Sequence, residues 1–575
     1  MGSCSSSSSV VPFSFNDDWR SPRGAEESWL RIVLISDIRQ IENYSSVAEL
    51  LKYLKATDKT CRTISVLSGN FLSPCMLTSL DGGKAMGEVL NTVPIDYACF
   101  GRHEFNVGFD ALKLRIRDFN GKWLNSNIVA PKFCGKDGAE LPKCDVLQVG
   151  RKRVCISGSI TENLEGCRPG AQPEIFNPTF AIADIWKHAG AKHGELDLFL
   201  PLTYQSKDED RSMIAKLHEL DSRAKSMMPI ICGGCEDETC MEEMQGSLIV
   251  KVGERARNAA VIDVWWDEDD NLQRSCKLFP LSEFELLPPL SSSTSDCCQE
   301  YVLKQVGLLA KVLAAPILRV PSALDTFRTC LAPSALASAL LQRVKLALDG
   351  VEIVLLPGGA IQGRSLHDGP FTYSDLMKEL PFDTEMAIIY VPGKIIAESI
   401  MNSRSTPAVV RPSYLHTDED CFFDDVQTLS HIDNQKLDPE KLYEVAIYQL
   451  LLKGTADVIQ PLLSYVQQNV ALPDLRYCLS AKHLITETCV KLMWRKMVAY
   501  KGGLQKAFLQ IDQCEDVHIS KAALFAQIKE IDVEDEDDPD KVPVGLLKIL
   551  IDSLNDDRNG KVSLAEIRKI MLSPV

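Results

Sequence analysis

The strongest constraint on the fold is a series of short apolar runs in the first half of the chain, each with Gly, Ser, Asp or Tyr among its last few residues. The first is LRIVLISDI at residues 30–38, and the others are CRTISVLSGNF, VPIDYACFG, KRVCISGSI, LDLFLPLTY and SMMPIICGG. Amphipathic stretches such as SSVAELLKYLKAT and GGKAMGEVLNTV separate several of these runs. Buried strands that alternate with helices predict a layered α/β domain, which we place at residues 29–288.

The sequence predicts further domains beyond this one. A Pro- and Ser-rich stretch, LPPLSSSTSD, opens a linker and helix at residues 289–314. A second α/β domain is predicted at 315–470 from VEIVLLPGGAIQG, DLMKELPF and MAIIYVPGKIIAESIM. Residues 485–575 are helical in pattern and include the acidic segment DVEDEDDPD, so we expect a small all-α domain there.

The C-terminal sequence NDDRNGKVSLAE has the spacing of a twelve-residue EF-hand loop, with Gly560 at the sharp turn. The predicted Ca²⁺ ligands are Asn555, Asp557, Asn559, the Lys561 carbonyl, Ser563 and Glu566. An upstream loop, DQCEDVHISKAA, lacks the final carboxylate, so it is predicted to be a structural partner hand without Ca²⁺. Ile519 and Val562 occupy position 8 of the two loops and are predicted to form the short β-bridge between them.

Charge and cysteine content exclude some classes of protein. The 575 residues carry a formal net charge of −17, which argues against nucleic acid as the main partner because phosphate backbones attract basic surfaces. No apolar run reaches the length of a membrane-spanning helix. The 19 cysteines show neither a disulfide framework nor a zinc spacing, so we expect free thiols in a reducing compartment.

Residues 1–28 are predicted to be disordered, but the first six carry a lipidation pattern. They read MGSCSS, which fits N-myristoylation at Gly2 with palmitoylation of Cys4 beside it. Two acyl chains hold a protein stably at a membrane. The alternative is a plain Ser-rich start. The first interpretation predicts a cytoplasmic protein tethered to the inner, cytoplasmic surface of a membrane.

Eight ordered blocks give the chain a resemblance to the 5′-nucleotidase family over residues 29–470. They are LISDIR, VLSGNFLSP, DYACFGRHEFNVG, WLNSNI, LPLTYQ, PIICGGCEDE, LLPGGAIQG and LPF. The resemblance implies a four-layer calcineurin-like metallophosphoesterase domain followed by an α/β substrate-binding domain. It also implies hydrolysis of a nucleotide or another phosphomonoester, as in nucleotide catabolism.

Family members hold two divalent metals, which together activate a water and neutralise phosphoryl oxygens. The resemblance matches their seven ligands to Asp37, Arg39, Asn70, Arg102, Tyr204, Cys235 and Asp237. Candidate ligands for a divalent transition metal are therefore Asp37, Asn70, Cys235 and Asp237. Arg39 and Arg102 cannot coordinate a cation, and we interpret them as candidate anion-binding residues, since guanidinium groups match phosphate oxygens.

The remaining site positions are also altered. His103 matches the catalytic His of the family and is a candidate acid, but Asn106 stands where its orienting carboxylate is expected. The substrate-domain loop corresponds to Gly358, Gly359, Gln362 and Arg364. The stretch LLLKGTADVI lacks the family's stacking aromatic, which leaves Tyr414 as the aromatic candidate in that domain.

Three hypotheses follow from these substitutions. The first is a pseudoenzyme, in which the phosphoesterase scaffold is kept for binding or regulation and responds to Ca²⁺. The second is an active phosphomonoesterase or nucleotidase that uses an altered single-metal site with His103 as acid. The third is a Ca²⁺-binding structural protein whose α/β part displays the tail. The sequence names neither a substrate nor a protein partner.

Overall fold

The structure is a computed structural model, and it divides the chain into two compact units. The first comprises residues 1–78 and 82–307, and the second comprises 79–81 and 308–575. The described residues are 28–38, 41, 43–57, 61–73, 75–164, 172–220, 230–235, 238–253, 255–281, 298, 300–304, 316–319, 334–361, 370–380, 384–404, 411–454, 458–473, 478–499, 518–520, 522 and 561–563.

The first unit contains fourteen strands among its described residues. They are β1 (Trp29–Ile35), β2 (Arg62–Ser68), β3 (Tyr97–Cys99), β4 (Lys122–Trp123), β5 (Ile128–Ala130), β6 (Cys144–Val149), β7 (Lys152–Ile160), β8 (Glu174–Ile175), β9 (Leu198–Tyr204), β10 (Ile230–Gly234), β11 (Thr239–Met244), β12 (Ser247–Val252), β13 (Asn258–Trp266) and β14 (Leu272–Pro280). The α-helices in this part of the chain are α1 (Asn43–Thr57), α2 (Met76–Asp81), α3 (Lys84–Leu90), α4 (Phe109–Asp118), α5 (Pro178–His193) and α6 (Lys207–Leu220), with a 3₁₀ helix at Arg102–Val107.

Two six-stranded sheets form the centre of this unit. Their strand orders are β14-β13-β1-β2-β3-β4 and β11-β12-β10-β9-β7-β6. One continuous apolar core lies between them and includes Ile32, Val66, Leu200 and Val250. On the other face of the second sheet, α5 and α6 bury a separate cluster that contains Trp186. The predicted layered α/β arrangement is therefore confirmed for this unit.

The inner strands run parallel, which explains their near-continuous apolar sequences. β1, β2, β3 and β4 pair in parallel, and so do β7, β9, β10 and β12. Strands covered on both faces are buried throughout, as β1 and β9 are. Parallel pairing also brings the carboxyl ends of the strands to one edge of each sheet.

The second unit has a smaller mixed sheet with helices around it. Its strands are β15 (Pro316–Arg319), β16 (Ile353–Pro357), β17 (Pro370–Thr372), β18 (Glu385–Pro392), β19 (Leu415–Thr417), β20 (Phe422–Phe423), β21 (Leu429–Ile432), β22 (Gln435–Lys436), β23 (Leu442–Tyr448), β24 (Leu479–Ser480), β25 (His518–Ser520) and β26 (Lys561–Ser563). The helices are α7 (Ala335–Ala347), α8 (Tyr373–Glu379), α9 (Gly393–Ser403), α10 (Gln449–Leu452), α11 (Gln460–Asn469) and α12 (Ala481–Ala499), with a 3₁₀ turn at Gly358–Ala360. The central sheet has the order β19-β16-β23-β18-β24.

The C-terminal region is described at two short strands only. β25 and β26 pair antiparallel, with Ile519 opposite Val562, which confirms the predicted bridge between the two loops. The other predicted Ca²⁺ ligands, Asn555, Asp557, Asn559 and Glu566, lie outside the described residues, as do Gly2 and Cys4. In the part of the chain that the structure covers, no helix has the length and apolar character needed to cross a membrane.

A buried lysine holds one corner of the second unit together. Lys345 of α7 contacts the carboxylates of Asp418 at 3.5 Å and of Asp420 and Asp433 at 2.8 Å each. Burial lowers the pKa of Lys345, but the three carboxylates outweigh that effect and raise the pKa above its usual value.

Replacing Lys345 with methionine is expected to lower the free energy of unfolding by about 1–3 kcal/mol. The change leaves three clustered carboxylates, one of them fully buried, without their cation. Chemical denaturation measures the effect. The matched control is Lys378→Met, which removes an exposed i,i+3 pair and should cost less than about 0.5 kcal/mol. Equal effects of the two changes would contradict this account.

Candidate functional site

Five parallel strands of the first unit deliver the candidate residues to one region. Asp37 follows β1, Asn70 follows β2, the 3₁₀ helix with Arg102 and His103 follows β3, Tyr204 ends β9 and Cys235 follows β10. The carboxyl ends of parallel strands are where α/β folds place ligand sites. All six side chains are buried, with at most 5% exposure.

Asn70 is the hub of this region. Its Nδ2 donates to Asp37 Oδ1 at 2.8 Å and to the Tyr204 hydroxyl, and its Oδ1 accepts from the backbone N–H of His103 at 3.0 Å. A primary amide has two N–H donors and one oxygen. Each of these atoms therefore has a protein partner, and the Asn70 side chain ties the ends of β1, β2, β3 and β9 together.

Glu104 holds the same loops together through its carboxylate, and the sequence analysis did not identify it. Its Oε1 accepts from the N–H groups of Phe71 and Leu72, at 2.7 and 3.2 Å, and its Oε2 accepts from those of Asn70 and Gly101, at 2.9 and 2.7 Å. Burial raises the pKa of Glu104, while the four backbone N–H groups act in the opposite direction. The signal available in the sequence was a glutamate in GRHEF, shortly after the apolar run that forms β3.

Arg102 lies beside Cys235 and Tyr204. Its Nη2 is 3.6 Å from Cys235 Sγ, and its guanidinium carbon lies 5.7 Å from the centroid of the Tyr204 ring. A guanidinium over an aromatic face gains cation–π attraction. Three of the positions that the resemblance matches to metal ligands are thus occupied by a fixed cation and by a phenol and a thiol that both lie beside it.

His103 contacts Asn106, as the motif spacing predicts. Asn106 Nδ2 lies 3.1 Å from His103 Nδ1. A carboxylate at this position would only accept a hydrogen bond, and it would therefore fix a proton on Nδ1. An amide offers a donor as well as an acceptor, so it leaves both ring tautomers accessible and adds no negative charge beside the ring.

The backbone around these residues is strained and tightly packed. Asp37, Asn70 and Cys235 adopt left-handed φ values of 54°, 55° and 69°. Non-glycine residues seldom adopt such angles, and they concentrate at functional sites. At Gly69, with φ of 74°, an added Cβ would lie 2.5 Å from Tyr204 Cδ2, so only glycine fits there.

A buried lysine on the helix-facing side of the second sheet was also missed. Lys251 Nζ lies 2.5 Å from Asp210 Oδ2 and donates to the carbonyls of Gln205, at 2.8 Å, and Gly234, at 3.0 Å. Both side chains of the pair are fully buried. Gln205 follows Tyr204 and Gly234 precedes Cys235, so this ammonium holds the two loops that carry those site residues. The lone Lys in the apolar run SLIVKV was the signal.

The other predicted residues fall in two groups. Arg39, Asp237, Gln362 and Arg364 lie outside the described residues. Gly358 and Gly359 form the 3₁₀ turn after β16, and their N–H groups donate to the carbonyls of Tyr414 and Pro412 at 2.8 and 2.7 Å. The Tyr414 ring is buried against the Arg404 guanidinium carbon, 5.0 Å from its centroid, so it packs in the second unit.

Two further properties of the described residues concern metal binding and disulfide bonding. No group of three or more His, Cys, Asp and Glu side chains that could hold a metal ion occurs in this part of the chain. Every cysteine that the structure describes has a free thiol.

Comparison with known proteins identifies the scaffold. Residues 320–461 match the family model of the 5′-nucleotidase, C-terminal domain. The fold is similar to that of NAD nucleotidase from Haemophilus influenzae, with a TM-score of 0.58 at 12% identity, over 81% of this chain and 96% of that one. It is also similar to a candidate 5′-nucleotidase from Staphylococcus aureus solved with α-ketoglutarate, with a TM-score of 0.52 at 15% identity, over 80% of this chain and 96% of that one.

No curated protein sequence matches the chain. At such low identities the structural similarity establishes the fold, while the family match covers the C-terminal domain. The chain therefore has a mixed α/β two-domain fold like that of the 5′-nucleotidases, and its residues 320–461 are similar to the C-terminal domain of that family.

Proposed function

We propose that this chain is a 5′-nucleotidase-type scaffold whose first unit binds a phosphorylated small molecule without two-metal hydrolysis. The hydrogen bonding of Asn70 is the observation that carries the proposal. The family resemblance implies a metal-bridging carboxylate at this position. Here a neutral amide donates to Asp37 and Tyr204 and accepts from the His103 backbone. Hydrogen bonds within the protein thus engage the Asn70 amide and Asp37 Oδ1, which stand at two positions where the resemblance implies metal ligands.

Charge supports the same conclusion. A guanidinium is a fixed cation and has no lone pair for a metal, so Arg102 cannot replace a metal-binding side chain. A buried positive charge strongly repels a divalent cation close to it, because protein screens charge less than water does. The donor set of Asp37, Asn70, Tyr204 and Cys235 therefore does not fit the two-metal centre that the resemblance implies. A guanidinium does fit the oxygens of a phosphate group.

Equilibrium binding of inorganic phosphate and AMP to the full-length, EDTA-treated protein tests this proposal. We expect both anions to bind without metal, and Arg102→Gln to weaken the binding at least tenfold. The matched control is Arg211→Gln, because Arg211 is a partly exposed arginine paired with Glu242 and Asp208 in the same unit. Absence of phosphate binding to the unaltered protein would contradict the proposal without depending on any variant.

A second candidate function is a phosphomonoesterase or nucleotidase with a single metal. The observation that favours it is the retention of His103 beside Asn106 in the 3₁₀ helix after β3, with Asp37 directly after β1 and Cys235 directly after β10. On this alternative, one divalent ion would be held by the altered site of Asp37, Asn70, Cys235 and Asp237, and His103 would protonate the leaving group. The alternative predicts metal-dependent turnover, which anion binding alone does not.

We also propose that the C-terminal loop binds Ca²⁺ and makes the protein responsive to it. The pairing of Ile519 with Val562 supports two loops placed side by side. Glu566 is the bidentate carboxylate of the proposed site, so Glu566→Gln is expected to weaken Ca²⁺ binding at least tenfold in calorimetry of the full chain. If the unaltered protein takes up no Ca²⁺ at millimolar concentrations, the proposal is wrong.

Acylation at Gly2 and Cys4 is proposed to tether the protein to the cytoplasmic face of a membrane. Partitioning between membrane and soluble fractions of expressing cells tests this. We expect Gly2→Ala to release the protein from membranes, and Cys4→Ser to release part of it, because one acyl chain binds only marginally. Equal partitioning of Gly2→Ala and the unaltered protein would rule the tether out.

A further inference from the structure

One buried side chain is bonded to the backbone beside two residues of the candidate site. The Lys251 ammonium donates to the carbonyl of Gln205, which follows Tyr204, at 2.8 Å. It also donates to the carbonyl of Gly234, which precedes Cys235, at 3.0 Å. β9 ends at Tyr204 and β10 ends at Gly234, and the two strands are parallel neighbours in the second sheet. Lys251 therefore joins the carboxyl ends of two neighbouring strands.

The position of this ammonium is closely defined. Its third partner is the Asp210 carboxylate on α6 at 2.5 Å, and both side chains of the pair are fully buried. An ammonium has three N–H donors, so one carboxylate and two carbonyls use all of them. A Cβ added at Gly233 would lie 2.2 Å from Lys251 Nζ, so glycine leaves the room that the ammonium occupies. Lys251 thus holds the two carbonyls at a fixed separation.

The residues next to these carbonyls both lie beside Arg102. Arg102 Nη2 is 3.6 Å from Cys235 Sγ, and the guanidinium carbon is 5.7 Å from the centroid of the Tyr204 ring. The end of β10 also packs against the end of β2, since a Cβ at Gly234 would lie 2.3 Å from the Ser68 carbonyl oxygen. A shift of either strand end would therefore move a side chain that contacts the guanidinium.

We propose that Lys251 is a positioning residue for anion binding at Arg102, an inference that rests on the proposed function of the first unit. With its donors used and no exposed surface, the ammonium does not bind the anion itself. It sets the separation of the strand ends that carry Tyr204 and Cys235, and through them the direction of the guanidinium. Arginine binds phosphate through a planar fork of N–H groups, so its orientation matters as well as its charge. Supporting contacts must hold such a group within about 0.5 Å of the productive geometry.

Lys251 also balances the charge of Asp210, and this role has to be separated from positioning. Lys251→Met alone removes the charge and the hydrogen bonds together, so a loss of anion affinity in that variant has two explanations. Lys251→Met with Asp210→Asn removes the bonds to the carbonyls but leaves the net charge of the pair at zero. Asp210→Asn alone keeps the ammonium and its bonds to both carbonyls. Comparison of the last two variants therefore isolates the positioning role.

Equilibrium binding of inorganic phosphate to the full-length, EDTA-treated protein, together with hydrogen exchange around Tyr204 and Cys235, tests this inference. We expect the double variant to bind phosphate about fivefold more weakly than the unaltered protein and to exchange about fivefold faster at both segments. Asp210→Asn should stay within about twofold of the unaltered protein in both measurements. The matched control is Lys152→Met, which removes an ion-paired lysine at the amino end of β7 and should also stay within about twofold.

The possible results separate this inference from the proposed function. Phosphate affinity of the double variant equal to that of the unaltered protein would overturn the inference. A loss in Asp210→Asn as large as that in the double variant would assign the effect to the charge pair and would overturn it too. Unchanged exchange around Tyr204 and Cys235 in the double variant would show that Lys251 does not fix the strand ends, whether or not phosphate binds. Absence of phosphate binding to the unaltered protein would instead overturn the proposed function itself.

Discussion

Replacing Lys251 with methionine is expected to lower the free energy of unfolding of the first unit by about 3–5 kcal/mol, because the change leaves the Asp210 carboxylate buried without its cation. Methionine keeps roughly the length of the lysine side chain and removes its positive charge and its three N–H donors. The carbonyls of Gln205 and Gly234 lose their hydrogen bonds at the same time. Denaturant unfolding, with hydrogen exchange of the segments around Tyr204 and Cys235, measures both consequences.

A double variant and a change of pH test the cause of this loss. Lys251→Met with Asp210→Asn removes both charges and should be more stable than Lys251→Met alone. In the single variant, burial raises the pKa of Asp210 above its unfolded value, so its folded state gains stability as the pH falls. The deficit of Lys251→Met should therefore shrink from pH 7 towards pH 5. A loss that is independent of pH, and that the second substitution does not reduce, would show that packing dominates.

Replacing Glu104 with glutamine is expected to cost about 3–5 kcal/mol, since each carboxylate oxygen accepts from two backbone N–H groups. An amide nitrogen in place of either oxygen would face two donors, and each buried donor left without an acceptor costs about 1–3 kcal/mol. The loops of Asn70 and Gly101 should then open, which hydrogen exchange of residues 70–72 and 101 detects.

The control for Glu104 is an exposed glutamate with a simple pairing. Glu140 forms a surface ion pair with Lys132, and both side chains are more than half exposed. Glu140→Gln should change the free energy of unfolding by less than about 0.5 kcal/mol. If Glu104→Gln stays within 1 kcal/mol of the unaltered protein, the four hydrogen bonds do not hold these loops.

Sequence patterns were informative about the strands and about which residues meet. KRVCISGSI matches β7 over its whole length, and four other apolar runs bring Asp37, Asn70, Tyr204 and Cys235 to one region. The reason is that parallel strands buried on both faces have continuous apolar sequences, and their ends meet at one edge. The match of His103 with Asn106 likewise follows from a spacing of three in one helical turn.

The partners of the site residues were not predictable in the same way. Asn70 donates its amide protons to Asp37 and Tyr204, which are 33 and 134 positions away along the chain. Local sequence does not reveal such distant partners. Glu104 accepts hydrogen bonds from backbone N–H groups, which nearly every residue has, so the sequence does not reveal its partners. Lys251 and Asp210 come from different elements of the fold, and a sequence shows that a buried charge needs a partner without showing which one.

The measurement that tests the central claim most directly is release of phosphate from AMP and p-nitrophenyl phosphate by the full-length protein. Mg²⁺, Mn²⁺, Co²⁺ and Zn²⁺ are each supplied in turn, with His103→Ala as the matched variant. The account predicts no metal-dependent turnover, because the proposal assigns Asn70 and Arg102, which are hydrogen-bonded to Asp37 and Cys235, to positions of the metal ligands. Turnover that requires a metal and disappears in His103→Ala would contradict it and establish the single-metal alternative.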